Sequence, residues 1–111
     1  MFECVWRPIY ELLNMGWIWN NELQFNRVKL KAFFEEMAPY LIRAKGLLKT
    51  GNEWQLLNWS NQLLQFEDIA WREDSRLECL FKTEYDNKVD VPILSAQTLE
   101  NLIKNTINNL Q

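Results

Sequence analysis

Leu41-Ile42-Arg43-Ala44-Lys45-Gly46-Leu47-Leu48-Lys49-Thr50-Gly51-Asn52-Glu53-Trp54-Gln55-Leu56-Leu57-Asn58-Trp59-Ser60-Asn61 is the stretch on which the fold turns. Its apolar residues alternate instead of recurring at helical spacing, which is the signature of half-buried strands. Along the first run Ile42, Ala44, Gly46 and Leu48 face one way, and Arg43, Lys45 and Lys49 the other, because successive strand side chains point to opposite faces. Thr50-Gly51-Asn52 supplies turn residues, Glu53 to Trp59 is a second strand, and Ser60-Asn61 marks another turn. The alternation continues with a third strand from Leu63 to Arg72 and a fourth from Arg76 to Lys82. In the fourth, Leu77, Cys79 and Phe81 oppose Arg76, Glu78, Leu80 and Lys82. Short turns between successive strands predict antiparallel neighbours.

Upstream, Leu30, Phe33, Phe34, Met37 and Ala38 recur at three- and four-residue steps, which predicts a helix over Asn26 to Ala38. Asn26 is its expected N-cap and Pro39 its stop. Met15 to Trp19 reads as a strand with Trp17 and Trp19 on one face and Gly16 and Ile18 on the other. Before it, Val5, Ile9, Leu12 and Leu13 have helical spacing, but Pro8 interrupts them, so a short helical turn after Pro8 is expected. Downstream, Thr83 to Pro92 is a polar connector. Ser95 caps a final helix whose buried stripe is Leu99, Leu102, Ile103, Ile107 and Leu110. The order β-α-β-β-β-β-α predicts an α+β domain. It has two layers, with helices on one face of a mainly antiparallel, four- to five-stranded sheet.

Composition agrees with a single domain over residues 1–111: 48% apolar and 24% charged residues with a formal net charge of −3. No stretch approaches the roughly 18 consecutive apolar residues of a membrane-spanning helix, and the N-terminus lacks the basic-then-apolar run of a signal peptide. The expectation is a cytoplasmic protein without a membrane partner. A mildly acidic chain is also a poor match for nucleic acid, whose binding rests on Lys and Arg neutralising phosphates.

The residues that carry chemistry are sparse. The chain has no His, which removes the commonest general base and zinc ligand. Cys4 and Cys79 have no neighbouring His or Cys, so no metal-ligand spacing is present. Glu35/Glu36, Glu67/Asp68 and Glu73/Asp74 are adjacent carboxylates whose side chains diverge, which is the arrangement of solvated surface charge and not of an acid–base pair. Gly46 and Gly51 do not stand before a Lys-Ser/Thr pair at phosphate-loop spacing and make no phosphate loop. Gly51 reads as a turn residue, and Gly46 as a place where another backbone approaches the strand. The chain is therefore expected not to be an enzyme.

Arg43 and Lys45 project from one sheet face, with Arg76 on a neighbouring strand as a third donor and Asp74 as a carboxylate able to pair with one of them. Six Trp are unusual for 111 residues. Trp17, Trp19, Trp59 and Trp71 are assigned to one sheet. The helices cover only one side of it, so several aromatics are expected on the opposite face, interleaved with Arg43, Lys45 and Arg76. Aromatics with Arg make the composition of a protein interface. The bets for that interaction surface are Trp17, Trp19, Arg43, Lys45, Trp59 and Arg76, with Gly46 shaping the strand. Pairing through exposed strands into a homodimer is left open. A second class, a stand-alone small-ligand or metal-binding protein using carboxylates and Cys79, is the alternative.

Three motifs in order resemble the CobW C-terminal domain. Trp17-Ile18-Trp19 followed by Gln24-Phe25-Asn26-Arg27 and Leu30 resembles its strand and F-D-R-x-x-L helix start. Arg43-Ala44-Lys45-Gly46-Leu47-Leu48-Lys49-Thr50-Gly51, with Trp54 and Asn58-Trp59 after it, is similar to R-x-K-G-x-x-R-T-G-x-x-W. Arg72-Glu73-Asp74-Ser75-Arg76-Leu77-Glu78 resembles an R-R-D-S-R-I/L-E strand entry. The departures are Asn26 for Asp, Lys49 for Arg and Glu73 for Arg. The family resemblance implies the C-terminal half of CobW-type P-loop GTPases, metallochaperones for cobalt, zinc and related ions, some linked to cobalamin biosynthesis. In such proteins the GTPase half carries the Walker A loop and a Cys-x-Cys-Cys metal motif, and this sequence has neither. The resemblance thus implies an accessory domain with no cofactor of its own, GTP and a divalent metal belonging to a GTPase half. Its implied partner is a P-loop GTPase domain, in cis or in trans, with a metalloenzyme client as a further partner.

Overall fold

The computed structural model describes residues 10–84 and 95–108. In chain order the elements are β1 (Tyr10–Asn20), α1 (Arg27–Met37), β2 (Leu41–Thr50), β3 (Glu53–Ser60), β4 (Leu63–Asp68), β5 (Asp74–Glu84) and α2 (Ala96–Lys104). The strands form one five-stranded antiparallel sheet in the order β1-β5-β2-β3-β4. The fold is α+β, with the expected order of strands and helices.

Local sequence explains the elements. The Asn26 side chain accepts from the Lys29 backbone N–H at 2.9 Å, satisfying an orphan donor at the start of α1. Leu30, Phe33, Phe34 and Met37 form the buried stripe of α1. In the same way the Ser95 hydroxyl accepts from the Thr98 N–H at 3.1 Å, and Leu99 and Ile103 are the buried residues of α2. Ile107 is also buried but lies beyond the end of α2. There Phe25 bridges it on one side and Thr50 on the other, tying the entry of α1 to β2 and to the end of the chain.

Both tight hairpins have a conformational cause. Gly51 adopts φ +68° between β2 and β3, a left-handed backbone that glycine takes without steric cost. Between β3 and β4, Asn61 and Gln62 have φ of 51° and 66°. Two consecutive left-handed residues form the hairpin turn whose twist matches that of the flanking strands. The turn is thus centred on Asn61-Gln62, one residue later than Ser60-Asn61.

Register then sorts the side chains. Leu41, Ala44, Gly46 and Leu48 of β2 lie level with Phe81, Cys79 and Leu77 of β5 and with Trp59 and Leu57 of β3 on one face. Both helices pack on this face, and the core joins Phe33, Phe34, Leu99 and Ile103 to Leu48, Leu57, Leu77 and Phe81. Each such buried side chain contributes about 1.5–3 kcal/mol relative to exposure. Among the described residues no helix covers the other face.

Four expectations need correction. First, β1 begins at Tyr10, so the helical turn after Pro8 is not present from that residue on; pairing along β5 overrides the local helical spacing. Second, a register shift between Leu41 and Arg43 turns Leu41 inward and leaves Ile42 44% exposed, reversing the expected side for Ile42. Third, β4 ends at Asp68 instead of Arg72. Fourth, β4 and β5 are successive but not neighbours. Residues 69–73 carry the chain from the sheet edge past two strands, and β5 enters between β1 and β2. Three strand spacings are about 14 Å, within the reach of these few extended residues. The inward residues of β5, Leu77, Cys79 and Phe81, are at most 1% exposed, which is why that strand takes the interior position. The expected turn residues Pro8 and Ile9, the later part of the 83–92 connector, Cys4, Trp6 and Leu110 lie outside the described residues.

Candidate interaction face

The uncovered sheet face is built from the alternate residues of the same strands. Arg43 and Lys45 project from β2, level with Leu80 and Glu78 of β5, and Lys45 is level with Asn58 of β3. With Asn14 of β1 these residues line a shallow concavity of about 220 Å³. Arg43 and Lys45 are exposed. Among the described residues neither is in an ion pair. Two exposed cations side by side on a sheet face, with Glu78 beside Lys45 but not in an ion pair with it, are suited to a carboxylate-bearing surface.

Arg76 stands on the same face but is engaged. Its Nε donates to Asp74 Oδ1 at 2.8 Å and its terminal nitrogen to Asp74 Oδ2 at 3.2 Å, a bidentate clasp. The Arg76 guanidinium holds the Asp74 carboxyl below the usual carboxylate range, and Asp74 raises Arg76 in return. The pair is solvent-exposed and screened, so it adds little to stability.

The alternation correctly put the three cations together, but the tryptophans divide differently. Trp59 is level with Ala44 on the helix-covered face, is 4% exposed and stacks on Phe34 at 5.8 Å between ring centroids. Trp17 and Trp19 occupy the same covered side at the sheet edge, half-buried, stacked on each other at 6.0 Å, with Trp19 edge-on to Phe25 at 4.9 Å. The thickness of the sheet separates these three residues from Arg43, Lys45 and Arg76. Gly46 also belongs to the covered side, where it is buried.

Among the residues whose side chains are described, Trp54, itself only 6% exposed, and Trp71 lie on the open side. Trp54 is level with Lys49, and Trp71 lies in the connection after β4, 68% exposed. Together with Lys49 and Ile69 they line a second, wider concavity of about 500 Å³. The signal was present in the spacing. A two-residue turn at Gly51-Asn52 sets Thr50 against Glu53, which forces Trp59 beside inward Ala44 and Trp54 beside outward Lys49.

Among the described residues no three His, Cys, Asp or Glu side chains converge as a metal site. Cys79 is buried in the core, and burial pushes its thiol up to about 12, leaving no ligating thiolate near neutral pH. Gly46 abuts the Arg76 carbonyl and Gly51 sits in a hairpin, so neither presents amides to a phosphate at a helix start. Among the described residues no helix is long and apolar enough to cross a membrane.

The described part is thus a two-layer α+β domain with one helix-covered and one open sheet face. Residues 15–88 match the cobalamin synthesis protein cobW C-terminal domain, and the chain belongs to that family. Its fold is similar to part of the Zn(II)-bound YjiA GTPase from E. coli, with a TM-score of 0.60, at 10% identity over 86% of this chain. A Zn(II)-bound triple mutant of the YjiA GTPase gives a TM-score of 0.61, also at 10% identity and 86% coverage. The chain spans 29% of the length of each of those structures. No curated protein matches the sequence.

Proposed function

We propose that this domain is a non-catalytic accessory module of a CobW-type GTPase system. It contacts the GTPase domain, in cis or in trans, or a metalloenzyme client during delivery of cobalt or zinc, including metal insertion related to cobalamin. GTP and the divalent metal are held by the GTPase, in the cytoplasm, and this chain supplies contact surface. The observation that carries the reading is the open sheet face with Arg43 and Lys45 exposed and, among the described residues, in no ion pair. Family membership and a fold shared with a segment of a larger GTPase support it.

The test is calorimetric titration of the chain against the GTPase domain of a CobW-type protein from the same source. Charge reversal at Arg43→Glu/Lys45→Glu is expected to weaken binding at least about tenfold and to make the remaining affinity less salt-sensitive. Far-UV circular dichroism should be unchanged, since both side chains are exposed. Wild-type affinity in the double variant overturns the surface; absence of binding by the wild type overturns the accessory role.

A further inference from the structure

We infer that β1 is a self-pairing edge and that two copies of this chain join through it into one continuous antiparallel sheet. Among the described residues β1 pairs only with β5, and no strand of the described sheet pairs with its other edge. Native edge strands are normally protected by being short or by carrying Lys, Pro or a bulge. β1 has none of these: it runs 11 residues, YELLNMGWIWN, with Glu11 as its single charge, and pairs with β5 without a register shift.

The strand is apolar on both faces. Leu12 and Ile18 on the open side are 61% and 66% exposed. Leu13, Met15, Trp17 and Trp19 on the helix side are only partly buried. Four of these residues pair by symmetry about Met15, Leu12 with Ile18 and Leu13 with Trp17, whereas Trp19 faces Glu11. If the strand meets a second copy antiparallel with Met15 opposite Met15, Leu12 falls opposite Ile18, Leu13 opposite Trp17, and Asn14 opposite Gly16. Each exposed apolar side chain then packs on another, twice over, around a two-fold axis perpendicular to the sheet. Sliding two residues either way sets Leu12 against Gly16 or Asn20 and Ile18 against Tyr10 or Asn14, and gives up strand overlap. The self-complementary register therefore favours a second copy over an unrelated extended peptide, which would need no symmetry in β1. The contact leaves Arg43 and Lys45 free on the same open side, so it stands independently of the accessory role.

Sedimentation equilibrium and cysteine trapping test this on the full chain. The wild type is expected at twice its 13.4 kDa mass. Ile18→Lys should raise the dissociation constant at least about tenfold, as a charged gatekeeper does on an edge. Ile18→Thr, which keeps β-propensity, should weaken pairing without unfolding. In a Cys4→Ser background, Leu12→Cys/Ile18→Cys should form a disulfide-linked dimer on mild oxidation. Within one chain these positions are about 20 Å apart, so the bond can only join two copies. Leu12→Cys alone and Ile18→Cys alone should remain uncrosslinked. A monomeric wild type, an unchanged dissociation constant in Ile18→Lys, no crosslink in the double variant, or equal crosslinking by either single variant overturns the proposal.

Discussion

At Gly46 the neighbouring strand leaves no room for a side chain. A Cβ there would stand 2.9 Å from both the Arg76 carbonyl oxygen and Leu77 Cδ1. The oxygen belongs to the backbone of β5 and can yield only by bending the sheet. Gly46→Ala is expected to lower stability by about 1–3 kcal/mol, measured by urea unfolding, with an unchanged m-value if the fold is kept. Cys79 is the other residue whose chemistry is set by burial. Because its folded thiol is raised to about 12, the unfolded chain releases that proton first as pH rises above the ordinary thiol range. Stability conferred by the neutral thiol is present below that range and is lost as pH climbs toward 12. At pH 8 a Cys4→Ser variant should react with an aromatic disulfide reagent only as fast as the protein opens, with full reactivity restored in denaturant. Immediate reaction in buffer would show Cys79 to be accessible.

The helices were the most legible elements, because cap, stripe and stop agree with one another. Asn26 shows why α1 begins where it does, and it also ties distant segments together. Its backbone N–H donates to the Thr106 carbonyl at 2.8 Å and its side-chain amide to Asn108 Oδ1 at 3.3 Å, besides accepting from Lys29. Asn26→Ala should cost about 1–2 kcal/mol in thermal or urea unfolding, whereas Asn26→Asp, which keeps the cap, should cost less. Equal losses in both would mean that the amide donated to Asn108 outweighs the cap. Strands were legible in number and alternation but less so in extent. The start of β1 carries helical spacing that only its pairing with β5 overrides. The bulge that inverts Leu41 and Ile42 has no local marker, since it arises where β2 must meet β5 with Phe81 opposite Leu41.

Across the whole molecule, the two-layer plan follows from counting apolar faces: two helix stripes can cover one side of a sheet and no more. The shared face of Arg43 and Lys45 was legible for the same reason, since they alternate with Ala44 and Gly46 however the strands are ordered. The positions of the tryptophans were not, because a side chain's face depends on the register of its strand with its partner. Trp59 is expected on the open side because the helices can cover only one face of its sheet, and hairpin pairing with Ala44 turns it inward. Strand order was the least legible feature, being decided by a competition for the sheet interior that β5 wins.

That placement of β5 has a consequence for how the protein is made. As the chain leaves the ribosome, β2, β3 and β4 can zip as successive hairpins, each against the strand just synthesised. Within the described sheet β1 has no such neighbour, for its ladder runs only to β5, the last strand translated. The first strand must therefore wait, with Trp17 and Trp19 uncovered, until β5 threads between it and the finished hairpins. Long-range closure of this kind is slow, since chain entropy is lost before contacts compensate for it. During that interval the nascent chain displays its most aromatic strand with both edges open, which makes it a natural client for chaperones.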